Sequence, residues 1–129
     1  EGIDNAKVLL GDARHIDFLF APESVETFFI HFPDPWPKRR HGKHRLIDAG
    51  FVQKLHSLLA PSGKVYMTTD ADFYAQAMVH LFTQHEGFVT DYMESGATRS
   101  PYHNTIHEWK FKLWGRNIYY FCFTKNNGR

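Results

Sequence analysis

An α/β fold with a mainly parallel sheet is what this chain predicts, on three observations. Short apolar runs recur at residues 25–32, 64–69 and 117–124; single stretches of helical periodicity separate the earlier ones; and acidic residues stand directly after several strand-like runs. Val8 to Leu10 read as a first short strand, ending at Gly11-Asp12. Residues 13–24 carry no strong period and close on the turn signal Ala21-Pro22-Glu23-Ser24. Val25 to Phe32 form the next strand, a near-continuous apolar run of the kind found in sheets covered on both faces. Pro33 ends it, because proline donates no ladder hydrogen bond.

Further along, Phe51, Val52, Leu55, Leu58 and Leu59 repeat at helical spacing, and Pro61-Ser62-Gly63 is expected to stop that helix. Lys64 to Thr69 read as a strand ending at Asp70. Tyr74, Ala77, Met78, Leu81 and Phe82 mark a second amphipathic helix, with Gly87 expected just past its C-cap. Phe88 to Met93 and Asn117 to Thr124 complete the strands. Between them, Glu94 to Gly115 is a long polar and aromatic segment, the kind of connection that carries function.

Composition narrows the class. The 43% hydrophobic and 16% aromatic content fits a folded domain, and 129 residues suffice for one modest core. Cys122 is the only cysteine, so no internal disulfide can form, and a reducing, cytoplasmic setting is expected. No run is long and apolar enough to suggest a membrane span. A net charge of +1 makes no global demand for a polyanionic partner.

The basic signal is local. Residues 32–45 read Phe-Pro-Asp-Pro-Trp-Pro-Lys-Arg-Arg-His-Gly-Lys-His-Arg, with Asp34 held between two prolines and no acid from Lys38 to Arg45. Each proline fixes its own φ and drives the residue before it into extended geometry, so Asp34 sits on a stiff turn. In parallel sheets ligands bind beyond the carboxyl ends of the strands. Asp12, Asp34 and Asp70 each follow a predicted strand, which would direct three carboxylates at one crevice. Any one of them could instead cap a helix or make a turn. A charge run is most often a solvated loop, but a rigid acid and Trp36 beside it favour nucleic acid. His31, His41 and His44 raise a metal reading, which the flanking cations oppose; no metal is expected. Cys122, in a strand apolar on both faces, reads as a buried inert thiol. Thr105 and Glu108, taken by spacing alone, read as a capping box.

Phe32-Pro33-Asp34-Pro35-Trp36, followed by Lys38 and a His/Arg-rich run, resembles the signature of the bacterial single-subunit tRNA (guanine-N7)-methyltransferases. The likeness extends through Asp12, Thr68-Thr69-Asp70 and the late Thr105-x-x-Glu108, in the family's order. It implies a Rossmann-like sheet with an antiparallel last strand, S-adenosylmethionine as cofactor, and tRNA as partner, methylated at a variable-loop guanine. Carried across, Asp34 is the active-site carboxylate, touching cofactor and substrate, and Asp12 lies at the adenine end of the cofactor. Lys38, Asp70, Thr105 and Glu108 contact substrate, and Arg40, His41, Lys43, His44 and Arg45 contact RNA. His107 departs from the aromatic usual at its position.

The resemblance also places the glycine-rich cofactor loop and a ribose-holding acid on amino-terminal strands that this chain lacks. Residues 1–129 are therefore expected to be one domain, the carboxy-terminal portion of a catalytic domain, and a monomer. Two rivals stand beside this reading: a non-catalytic RNA-binding module, and another nitrogen-directed nucleic-acid methyltransferase.

Overall fold

Four strands form a single sheet in the computed structural model, which describes residues 4–36, 38–96 and 117–126. They are β1 (Val25–His31), β2 (Leu59–Thr69), β3 (Phe88–Gly96) and β4 (Ile118–Lys125), in the spatial order β1-β2-β4-β3. β1 runs parallel to β2, whereas β4 is antiparallel to both β2 and β3. Among the described strands only β4 is therefore reversed, as the resemblance implies. Helix α1 (Ala49–Leu58) links β1 to β2, and α2 (Asp72–Gln84) links β2 to β3.

Both helices cover the same face of the sheet. Alternate residues Val65 and Met67 of β2, and Phe121 and Phe123 of β4, share one core with Phe51, Val52 and Leu55 of α1 and Tyr74, Met78 and Phe82 of α2. Phe82 stacks on Phe123 with ring centroids 4.1 Å apart. Asp48 caps α1, its carboxylate accepting from the Phe51 N–H at 2.8 Å.

On the opposite face Phe29 stacks on Tyr66 at 5.2 Å. Phe29 is 46% exposed, so β1 is not covered on both faces as its apolar run predicts. Among the described residues no helix packs there. Cys122 is buried in β4, and burial, with Asp91 adding its charge, pushes the thiol up to about 11. It is buried, as expected.

Three expectations need correcting. Among the described residues, 6–10 pair with no strand, and Val8 and Leu10 are fully exposed; an apolar stretch becomes a strand only beside a hydrogen-bonding neighbour. Next, α1 stops at Leu58, before the Pro61-Ser62-Gly63 signal. Leu59 already pairs with Val25 while Lys64 pairs with Thr27, so residues 60–63 bulge from an early-starting β2. Gly63 is required there, since a Cβ would lie 2.9 Å from the Ala60 carbonyl oxygen and 3.0 Å from that of Glu26.

Gly87 is the third. The C-cap of α2 is His85, in extended geometry, and Gly87 answers a packing demand: its Cβ would meet His56 Nε2 at 2.3 Å. His56 lies against the His85 ring at 4.9 Å and edge-on to Phe88, and its Nε2 is buried without a hydrogen-bond partner among the described residues. Burial lowers its pKa below the usual 6.5, helped by the charges of Lys125 and His85. The unfolded chain thus takes up this proton first as pH falls. The His56 contribution to stability is complete above pH 6.5 and is lost as pH falls through the lower folded value. The melting temperature is expected to drop on acidification from pH 7.5 to 5.5, and His56→Leu to flatten that dependence; equal slopes for both proteins would refute it.

Candidate active site

The carboxyl ends of β1 and β2 lie side by side, with His31 in register with Thr68. His31 Nδ1 and Thr68 Oγ1 are 3.0 Å apart, and the Phe32 N–H donates to the Thr68 carbonyl at 2.7 Å. There β1 ends abruptly, for Phe32 takes φ 51° and Trp36 takes φ 45°. Bulky side chains rarely adopt that left-handed region, and each such residue costs about 1–3 kcal/mol that the surroundings must offset.

Between those two residues Asp34 projects into solvent, and its Oδ1 accepts from the Trp36 N–H at 3.1 Å. This is an Asx turn: the side chain closes the loop that presents it. Asp70 follows the end of β2 at the same edge, where buried Thr69 accepts from the Ala71 N–H at 3.2 Å. Asp72 in the first turn of α2 receives the Tyr119 hydroxyl hydrogen bond, which holds that phenol above its ordinary pKa.

The basic segment folds back over this edge as a 3-10 helix, Arg39–His44, with Lys38 at its N-cap. Lys38, Arg40, Lys43 and His44 are exposed, and the His44 ring lies 4.9 Å from Trp36. Arg45 turns inward instead. Its Nε donates to the carbonyls of Pro35 (2.9 Å) and Trp36 (3.1 Å), and its Nη2 donates to Trp36 (2.9 Å) and Lys38 (3.5 Å). The guanidinium carbon stands 5.1 Å above the Phe73 ring. Immediately after, the Ile47 N–H donates to the buried Tyr74 hydroxyl at 2.9 Å. The first turn of α2 thus grips the segment from two sides.

Asp34, Asp70, Lys38 and the basic segment are brought to one edge, as the sequence predicts. Asp12 follows no strand. It caps a 3-10 helix, Ala13–Phe18, and its carboxylate pairs with Arg14 at 2.6 Å. Hydrogen bonds from Arg14 hold that carboxyl down at about 2. Lys54 of α1 docks the same 3-10 helix through Asp17 at 3.2 Å. Thr105 and Glu108 lie outside the described residues, as do the side chains of Arg39 and His41. Sequence reading missed the contact of His31 with Thr68, the Phe73 ring beneath Arg45, the hydrogen bond to the Tyr74 hydroxyl and the inward turn of Arg45. Tyr74 alone left a signal, a hydroxyl within an otherwise apolar helical stripe.

Among the described residues no three His, Cys, Asp or Glu side chains converge as metal ligands, and no helix is long and apolar enough to cross a membrane. A mainly parallel sheet with one reversed strand and polar residues at its carboxyl edge gives a Rossmann-like α/β fold. A Thermus thermophilus protein described as "Putative DNA Modification Methylase", solved with S-adenosyl-L-methionine, shares this fold at TM-score 0.54 and 16% identity, over 91% of this chain and 51% of that one.

The chain belongs to the family described as "Putative methyltransferase", which it matches over residues 1–121. Similar proteins include the tRNA (guanine-N(7)-)-methyltransferases of Nitrosococcus oceani and Leptospira interrogans. The first is 38% identical over 78% of this chain and 43% of its own length; the second is 32% identical over 92% and 55%. That of Thermotoga maritima is 35% identical over 91% of this chain and 37% of its own length. The chain spans about half or less of the curated relatives it matches.

Proposed function

We propose that this chain is the carboxy-terminal portion of a tRNA (guanine-N7)-methyltransferase that works in the cytoplasm, transferring methyl from S-adenosylmethionine to a variable-loop guanine. The observation that carries the reading is Asp34: an exposed carboxylate fixed by its own Asx turn at a parallel-strand end, beside exposed Lys38, Arg40 and Lys43. The similar tRNA methyltransferases supply the substrate class.

The residues present suit one side of such a cofactor. S-adenosylmethionine supplies an electrophilic methyl on a cationic sulfonium, and an exposed carboxylate at the carboxyl end of β1 complements that charge. Asp34 would hold that side. Asp12, whose carboxylate is taken by Arg14, is the weaker candidate for the adenine end.

Guanine N7 has an in-plane lone pair, so no proton need leave it and no general base is asked of the chain. What remains is alignment, and electrostatic stabilisation of the purine as it gains positive charge. Asp34 serves both, while Lys38 and Asp70, with Thr105 and Glu108, would hold the guanine nucleotide. Arg40, His41, Lys43 and His44 would take the tRNA backbone.

Nucleoside mass spectrometry on unmodified tRNA with S-adenosylmethionine tests this, with the 129-residue chain and an upstream-extended form compared. The expected result is 7-methylguanosine from the extended form alone. tRNA binding without product from either would transfer the reading to an RNA-binding module.

A further inference from the structure

We infer that Arg45 is a positioning residue: its guanidinium ties the Asp34 turn to the first turn of α2 and so sets where the carboxylate points. The inference rests on the methyltransferase reading above. By composition Arg45 is one of five fixed cations between Lys38 and Arg45, all equally suited to phosphate. The structure separates it from the others. Lys38, Arg40 and Lys43 are exposed, whereas Arg45 is half-buried, with its Nε and Nη2 on the carbonyls of Pro35, Trp36 and Lys38.

Those carbonyls are the ones that matter to Asp34. Pro35 follows it directly, and Trp36 supplies the N–H that its Oδ1 accepts. One planar fork therefore fixes the far side of the Asx turn while the carboxylate fixes the near side. Beneath the guanidinium, Phe73 belongs to α2, which begins just after Asp70. Arg45 thus bridges the loop after β1 and the helix after β2, the two places that carry the candidate acids. The loop also holds Phe32 and Trp36 at positive φ, a conformation that persists only when the surroundings over-determine it. Arg45 contributes to that determination at Trp36 through contacts a lysine cannot reproduce, since one ammonium cannot span three carbonyls and also stand over a ring.

The test uses Arg45→Ala and Arg45→Lys in the full-length enzyme. It measures kcat and KM for unmodified tRNA, tRNA Kd with its salt dependence, and hydrogen exchange of the peptide covering residues 32–38. A misplacement of about 1 Å at a reacting group costs on the order of a hundredfold in rate. The expected result is a kcat lowered about thirty- to a hundredfold in Arg45→Ala. Arg45→Lys should recover little of it, tRNA Kd should stay within about threefold, the salt slope should not change, and exchange at residues 32–38 should quicken in both variants. Arg45→Lys keeps the charge and the aliphatic stem, so it reads the same quantities if Arg45→Ala fails to fold. A weaker Kd with a shallower salt slope and unchanged kcat would overturn the inference and make Arg45 a phosphate contact; so would full rescue by lysine. Absence of 7-methylguanosine from the unsubstituted enzyme would reject the methyltransferase reading, and the exchange measurement would then decide the strap by itself.

Discussion

Asp34→Ala in the full-length enzyme is expected to lower kcat for 7-methylguanosine formation by about 10²–10⁴-fold, with tRNA Kd nearly unchanged. The magnitude follows from two roles removed together. On the proposed role, the variant loses the carboxylate that would face the purine as it becomes cationic, and the Trp36 N–H loses the acceptor that closes the turn. Asp34→Asn separates the roles. Its side-chain carbonyl can still accept from Trp36, so the turn survives while the charge is gone. If the charge carries catalysis, Asp34→Asn falls nearly as far as Asp34→Ala; if presentation does, it retains most of the rate. Affinity should move little, because a lone exposed carboxylate would repel phosphate, and its removal cannot weaken backbone contacts. Loss of tRNA binding with turnover of bound tRNA intact would sink the assignment.

The features that sequence exposed are those decided within a few residues. Thr27 to Phe32 is apolar and rich in β-branched and aromatic residues, so it reads as a strand from its own composition, and Pro33 can only end it. The stripe of Phe51, Val52 and Leu55 needs α1 to bury it, and all three are buried. What stayed hidden depends on partners distant in the chain. Val8 to Leu10 have the composition of a strand, but none of the described strands pairs with them. Leu59 leaves its helix early because Val25 is in register to receive it, a fact no local pattern holds. Gly87 is dictated by the His56 ring arriving from another helix. At the site, Asp34 was legible because the two flanking prolines fix its backbone whatever the rest of the fold does. Arg45 was not: it is one cation in a run, and only the path of the turn puts carbonyls around it.

That distinction determines which cations should be removed to find where tRNA binds. Arg40→Ala combined with Lys43→Ala strips exposed charges from the 3-10 helix and leaves Arg45 in place. Each phosphate left without its cation keeps its counterion, which lowers the logarithmic salt slope by about 0.7 for a single strand and about 0.9 for a duplex. The double variant should therefore bind tRNA about ten- to a hundredfold more weakly at physiological salt, with a slope shallower by about 1.4–1.8. Binding of the two proteins should converge at high salt, where pairing with phosphate contributes least. Since Asp34 and its turn are untouched, kcat at saturating tRNA should hold while KM rises, the reverse of the Arg45 and Asp34 variants. An unchanged salt slope would show that the exposed cations face solvent alone. A fall in kcat with normal affinity would show instead that the 3-10 helix shapes the turn it covers, joining Arg45 in holding Asp34 rather than holding RNA.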